Sequence, residues 1–181
     1  MASGVLGVFG LLGAASCAHE ETSPVQKAAA PPALRATGTF QAKEGTSVSG
    51  TVEAVEEGGA VRLRVNLKGA PPGVHGIHLH EKGDCSAPDF STAGGHFNPT
   101  GAPHSCPPKV PRHAGDFGNI EIGADGLGHL ELVADGITIA PGPTSIAGKA
   151  MILHHGKDDC TSQPAGDSGM RIGCAILTVP Q

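Results

Sequence analysis

The sequence of 181 residues has no Trp, no Tyr and only 5 Phe, so its distinctive chemistry lies in other residue types. Positive charge is also scarce. The 12 Lys and Arg stand against 17 Asp and Glu, for a net charge of −5. That balance excludes the basic stripe of a nucleic-acid binder. No apolar run approaches the roughly 20 residues of a spanning helix. No helical period is sustained along the chain, which argues against an all-helical fold. Hydrophobic residues at 39% nevertheless exclude a wholly disordered chain. The length suits one domain with a real core, and 28 Gly and 15 Pro supply many turns.

The first 16 residues, MASGVLGVFGLLGAAS, carry no charged side chain and end in small residues before Cys17. This pattern resembles the apolar region of a secretory signal. Ala14-Ala15-Ser16-Cys17 resembles a bacterial lipobox, in which the cysteine becomes the first mature residue and carries lipid. Two features depart from that pattern: no Lys or Arg precedes the apolar run, and Ala14 stands where Leu is usual. An ordinary cleaved signal is the alternative, and both readings export the protein. Residues 17–35 are rich in Ala, Pro and Glu and have no period, as in a flexible tether. The folded domain is expected over 36–181.

From there the pattern is that of strands. Residues 60–67, AVRLRVNL, alternate apolar and polar side chains, the period of a half-buried strand. The preceding run 47–55 and the turn EEGG (56–59) complete a hairpin with it. Residues 37–40, 74–80, 119–122, 129–133, 150–154 and 172–179 read as further short strands, separated by Gly, Pro and Asp. Eight such strands predict an all-β, antiparallel sandwich or flattened barrel. Two long segments, 81–117 and 155–171, interrupt it. Long loops in a compact β domain are commonly functional.

The sequence holds 10 His, and their placement is informative. His78 and His80 flank Leu79 on a strand, so they share one face while Leu79 points to the other. Alone, such a pair is a weak signal. His96, His104, His113 and Asp116 follow on a Gly- and Pro-rich loop. Three imidazoles and one carboxylate form the closed tetrahedral set of a structural zinc. His154 ends an apolar strand and can add a nitrogen to the His78/His80 pair. An all-imidazole site with an open position suits copper.

GIHLHEKGDC, GGHFNP, RHAGDFGN and DDCTSQPAGDSGMRIGCAI together resemble the bacterial, exported copper/zinc superoxide dismutases. The resemblance spans roughly Gly38 to Val179. It implies an eight-stranded Greek-key fold and an enzyme that converts superoxide to dioxygen and hydrogen peroxide by copper redox cycling. It also implies one copper and one zinc per subunit. Copper is expected at His78, His80, His96 and His154, and zinc at His96, His104, His113 and Asp116. His96 would bridge the two and deliver a proton during turnover. Asp158 is expected to orient His78 and His104, and Arg171 to attract the anionic substrate. Lys157 is either an aid to that attraction or a surface lysine. His19, His75, His129 and His155 fall outside the ligand pattern. A metal-buffering relative without activity is the rival reading; such proteins typically lack copper ligands or the arginine, all present here.

The resemblance also pairs Cys85 with Cys174. If Asp158 contacts His104, then Cys106 and Cys160, each two residues beyond one of them, come together as a second disulfide. Free thiols are the alternative. With Cys17 lipidated, the remaining four cysteines form an even set suited to an oxidising compartment. The expected location is therefore the periplasm or, through lipid on Cys17, a bacterial membrane. Superoxide is the expected partner, nucleic acid is not, and a homodimer and a monomer are both compatible with the sequence.

Overall fold

The computed structural model describes residues 33–180, with Met1, Ala2, Gly4 and Gly7. Cys17 and nearly all of the expected leader and tether lie outside the described residues. Eight strands follow in order: β1 (Leu34–Ala42), β2 (Ser49–Glu57), β3 (Ala60–Lys68), β4 (Gly73–His80), β5 (Asp116–Ile122), β6 (Leu127–Ala134), β7 (Ala150–His154) and β8 (Arg171–Ile176). One 3-10 turn, Ser91–Ala93, lies between β4 and β5. No α-helix occurs among the described residues.

The strands close into a barrel in the order β1-β2-β3-β6-β5-β4-β7-β8. All neighbours are antiparallel. The chain steps over neighbours between β3 and β4 and between β6 and β7, which makes the connection a Greek key. Closure leaves no free sheet edge to recruit another chain.

Period-two alternation builds the barrel interior. On β3, Val61, Leu63, Val65 and Leu67 point inward, and Arg62, Arg64 and Asn66 point outward. Each fully buried aliphatic side chain contributes about 1.5–3 kcal/mol. β7 differs, with all five residues buried. Its outer face is covered by the loop after β4. Phe90 and Ala93 pack there on Ala150, Ile152 and Cys174 in a second, smaller core.

Several strands differ from their expected limits; β2 runs on to Glu57, so the expected turn 56–59 narrows to Gly58 and Gly59. β1 begins at Leu34, because Leu34 and Arg35 pair with Glu56 and Val55. The last two residues of the expected tether thus belong to the barrel. β5 begins at Asp116 rather than near Asn119, and Asp116 stands opposite His78. β8 in turn ends at Ile176, short of the expected 179, although Thr178 still bridges to Thr37.

Candidate metal centre

Two β-bulges shape the site. Between Gly76 and His78 on β4, the partner strand β5 runs from Asn119 to Asp116, one residue longer. Gly118, with φ 77°, lies within that extra length. Between Leu153 and His154 on β7, β8 likewise carries one extra residue, Ile172, between Arg171 and Gly173. Bulges bend a strand and re-aim its side chains. Here they occur where β4 and β7 deliver His78 and His154.

The intervening loop is stitched to β4. Phe97 N–H donates to Leu79 O at 2.7 Å, Leu79 N–H to Gly115 O at 2.9 Å, and Gly115 N–H to Phe97 O at 2.9 Å. A Cβ at Gly115 would collide with the Leu79 carbonyl, so this approach requires glycine. His96 is thereby brought beside His80, and the two residues form an isolated bridge. Leu79, between His78 and His80 in the chain, is buried in the barrel core.

His78, His80, His96 and His154 form one buried group, and His96, His104, His113 and Asp116 form another. Within each, the potential ligand atoms lie within 4.8 Å of one another. His96 belongs to both and presents a different nitrogen to each. Its Nδ1 lies 2.8 Å from Asp116 Oδ1, while its Nε2 is buried without a hydrogen-bond partner. His78 Nδ1, His80 Nε2 and His154 Nε2 are also buried and unpartnered. Four orphaned nitrogens directed into one group would be costly in an empty polar core, and they suit a cation. In the second group, Nδ1 of His104 and of His113 lie 3.1 and 3.2 Å from Asp116 Oδ1. A tetrahedral ion with bonds of about 2.0–2.1 Å needs ligand atoms roughly 3.3 Å apart, so the spacing fits zinc.

The far nitrogen of almost every ring is fixed. His80 Nδ1 donates to Gly94 O at 2.9 Å, and His154 Nδ1 to Gly169 O at 3.0 Å. His78 Nε2 and His104 Nε2 lie 2.7 and 3.0 Å from the two oxygens of Asp158. One buried carboxylate thus orients one ring of each group, setting which nitrogen faces inward.

Burial favours the neutral ring at His78, His80, His113 and His154. It pushes His78 well below its usual range, with the neighbouring His96 and His154 adding to the effect. It lowers His80 to about 2, reinforced by His96 and partly opposed by the bond to Gly94. It lowers His154 to about 4, against the bond to Gly169. Burial would raise Asp116, but the bonds from His96 and from Ser105 N–H hold it below the usual carboxylate range. Neutral imidazoles and an ionised carboxylate are the forms that bind metal.

A family profile described as Copper/zinc superoxide dismutase (SODC) matches residues 48–177. The chain belongs to the copper/zinc superoxide dismutase family. It is therefore an oxidoreductase that acts on superoxide, with copper and zinc as its cofactors. Superoxide dismutase [Cu-Zn] 2 of Aquifex aeolicus (strain VF5) is 36% identical over 135 residues, 72% of this chain and 79% of that relative. Among solved structures, the clock protein EA4 is 31% identical with a TM-score of 0.74, over 84% of this chain and 98% of that one. A double mutant of a SOD-like protein from Bacillus subtilis is 36% identical with a TM-score of 0.71, over 78% and 96%.

In this dismutase an open cavity of about 690 Å³ leads to His80, His96 and His154. Arg171 lines it together with Ser162–Ala165 and Asp167–Gly169 of the loop before β8. The Arg171 guanidinium is anchored on two carbonyls of the loop after β4: Nη1 donates to Phe90 O at 2.5 Å and Nη2 to Gly94 O at 2.6 Å. The Gly94 carbonyl therefore holds both Arg171 and His80. The structure joins Cys85 to Cys174 (Cα–Cα 6.0 Å), which fastens this loop to β8 near Arg171. It joins Cys106 to Cys160 (Cα–Cα 5.0 Å), beside the His104–Asp158 contact.

Among the described residues, the outlying histidines stay outside both groups. His75 is buried, with Nδ1 and Nε2 against the carbonyls of His154 and Pro71. His129 is exposed and bonds Asn66. His155 is exposed beside His154. His19 lies outside the described residues. Lys157 is absent from the cavity lining.

Two site residues carried no signal in the sequence. Asn119 Nδ2 donates to Asp158 O, and Asp158 N–H donates to Asn119 Oδ1. Gln163 makes the same two-point contact with the backbone of His104.

Proposed function

We propose that His78, His80, His96 and His154 hold copper, that His96, His104, His113 and Asp116 hold zinc, and that His96 is shared. The carrying observation is His96 itself, with Nδ1 committed to the Asp116 group and Nε2 unpartnered in the other. Copper supplies the one-electron exchange with superoxide, while zinc has a filled d shell and keeps its oxidation state.

The protein's own residues do the rest. Arg171, held by two carbonyls, offers a fixed positive charge to the anionic substrate from the cavity lining. With Nδ1 of His96 committed to the Asp116 group, the proton that this ring can carry and hand to the reduced substrate would sit on Nε2. Asp158 keeps His78 and His104 in register. Metal analysis with a superoxide-consumption assay tests the assignment. One copper and one zinc per chain with rapid consumption is expected; full loading without activity would overturn the functional roles.

The domain is read as exported, on a leader at 1–16 and a tether that ends where β1 begins. Two disulfides suit an oxidising compartment. Cys17 is read as the lipid-bearing first residue of the mature chain. Intact mass of the mature protein tests this: a diacylglycerol adduct on Cys17 is expected, and a mature chain starting elsewhere would refute it.

A further inference from the structure

We infer that Gln163 is a positioning residue that couples the zinc-side histidine His104 to the wall of the substrate cavity. The inference rests on the assignment of His104 to zinc and deepens it.

Gln163 lines the cavity, yet its carboxamide is turned toward the zinc loop. Oε1 accepts from His104 N–H at 2.8 Å, and Nε2 donates to His104 O at 2.9 Å. A side chain bonded to both the N–H and the C=O of one residue imitates a strand partner and fixes that residue's backbone. His104 lies on a loop and its main chain has no strand partner, so Gln163 takes that role. The two residues are 59 apart in sequence.

The surrounding contacts make the link stiff. Asp158 holds the His104 ring, and Cys160 N–H donates to the same carboxylate at 2.7 Å. The Cys106–Cys160 disulfide ties the same two loops. Gly166 packs so closely on Asp158 and His104 Nε2 that a Cβ there would overlap both. The wall formed by Ser162, Gln163, Pro164 and Ala165 is therefore moulded on His104. The other ring nitrogen of His104, Nδ1, faces the zinc-side group. Zinc held there fixes His104, and through Gln163 it fixes the wall facing the copper-side histidines. In the other direction, losing the carboxamide frees the His104 backbone and loosens its hold on the ion. Supporting partners of metal ligands typically contribute about 10–100-fold in metal affinity.

The test uses the full mature protein loaded with copper and zinc, and variants Gln163→Ala and Gln163→Met. Methionine keeps the length and packing but cannot make the paired bonds. Both variants should release zinc to a chromogenic chelator about tenfold faster than the parent. With Co(II) in place of zinc, both should show an altered visible spectrum. Parent-like release and spectra in Gln163→Met would overturn the inference, because packing alone would then suffice. The parent protein gives an independent reading by amide exchange: strong protection of His104 N–H supports the clamp, and exchange at the rate of free loop amides overturns it. If the parent takes up no stoichiometric zinc or Co(II), the zinc assignment itself fails, a result separate from the behaviour of the variants.

Discussion

The two buried histidine groups, copper-side and zinc-side on the proposed assignment, share His96 but are assembled differently. The zinc-side residues come from one stretch, 96–116, and only Asp116 belongs to a strand. The copper-side residues come from β4, the following loop and the end of β7, and are fixed by the barrel. The first group organises a loop that has little regular structure of its own. The second is preformed by strands and two bulges. Loss of metal should therefore disturb the loop far more than the barrel.

The largest expected effect is on the copper side. His80→Ala should reduce superoxide consumption to background while zinc content stays near one per chain, measured by elemental analysis. Concurrent loss of zinc would show that the two groups are not built independently. Conversely, His113→Ala should lower zinc retention while the barrel stays folded by far-UV circular dichroism.

Asp158 is the exception that spans both groups. Asp158→Ala leaves His78 Nε2 and His104 Nε2 without their acceptors in a buried setting. Both metals should bind about 10–100-fold more weakly, read by chelator competition. An effect confined to one metal would break the symmetry read from the two bonds.

The disulfides sharpen the comparison in energy. Cross-links spanning 89 and 54 residues remove denatured-chain entropy worth about 4–5 kcal/mol each on the loop-closure account. Replacing Cys106 and Cys160 together by Ser should lower stability by up to that amount and speed zinc release. Replacing Cys85 and Cys174 should instead impair activity through Arg171, with zinc little changed. Denaturant unfolding with metal analysis separates the two.

A smaller effect concerns pH in the metal-free protein. His154 sits at about 4 when folded, against 6.5 in the unfolded chain. Above pH 6.5 both states leave the ring neutral. As pH falls from 6.5 toward 4 the unfolded chain takes up a proton that the folded chain refuses, so stability falls in that window. His80, at about 2, extends the loss to lower pH. The metal-free protein should lose about 2 kcal/mol or more between pH 7 and 4 by urea titration. A flat profile would mean that these rings are not held neutral by burial.

Much of this was legible in the sequence, for identifiable reasons. The strands show because an inward and outward face alternate strictly, as in β3. Both groups show because their ligands are chemically distinctive and clustered, and His154 is visible at the end of the buried run AMIL. The strand limits at Leu34 and Asp116 were less legible, since pairing partners far along the chain decide them. The bulges at His78 and His154 left no mark, because an extra residue has meaning only against its partner strand. Asn119 and Gln163 were invisible for a related reason: they bond main chain, which carries no residue-type signature. The carbonyls of Phe90, Gly94 and Gly169 escape a sequence reading in the same way.

The sharing of His96 is the central claim, and electron paramagnetic resonance tests it most directly. With Cu(II) on the copper side and Co(II) in place of zinc, a shared imidazolate couples the two spins. The Cu(II) signal should then be quenched, and it should return when the cobalt is removed. An undiminished Cu(II) signal with both ions bound at one per chain would contradict the account.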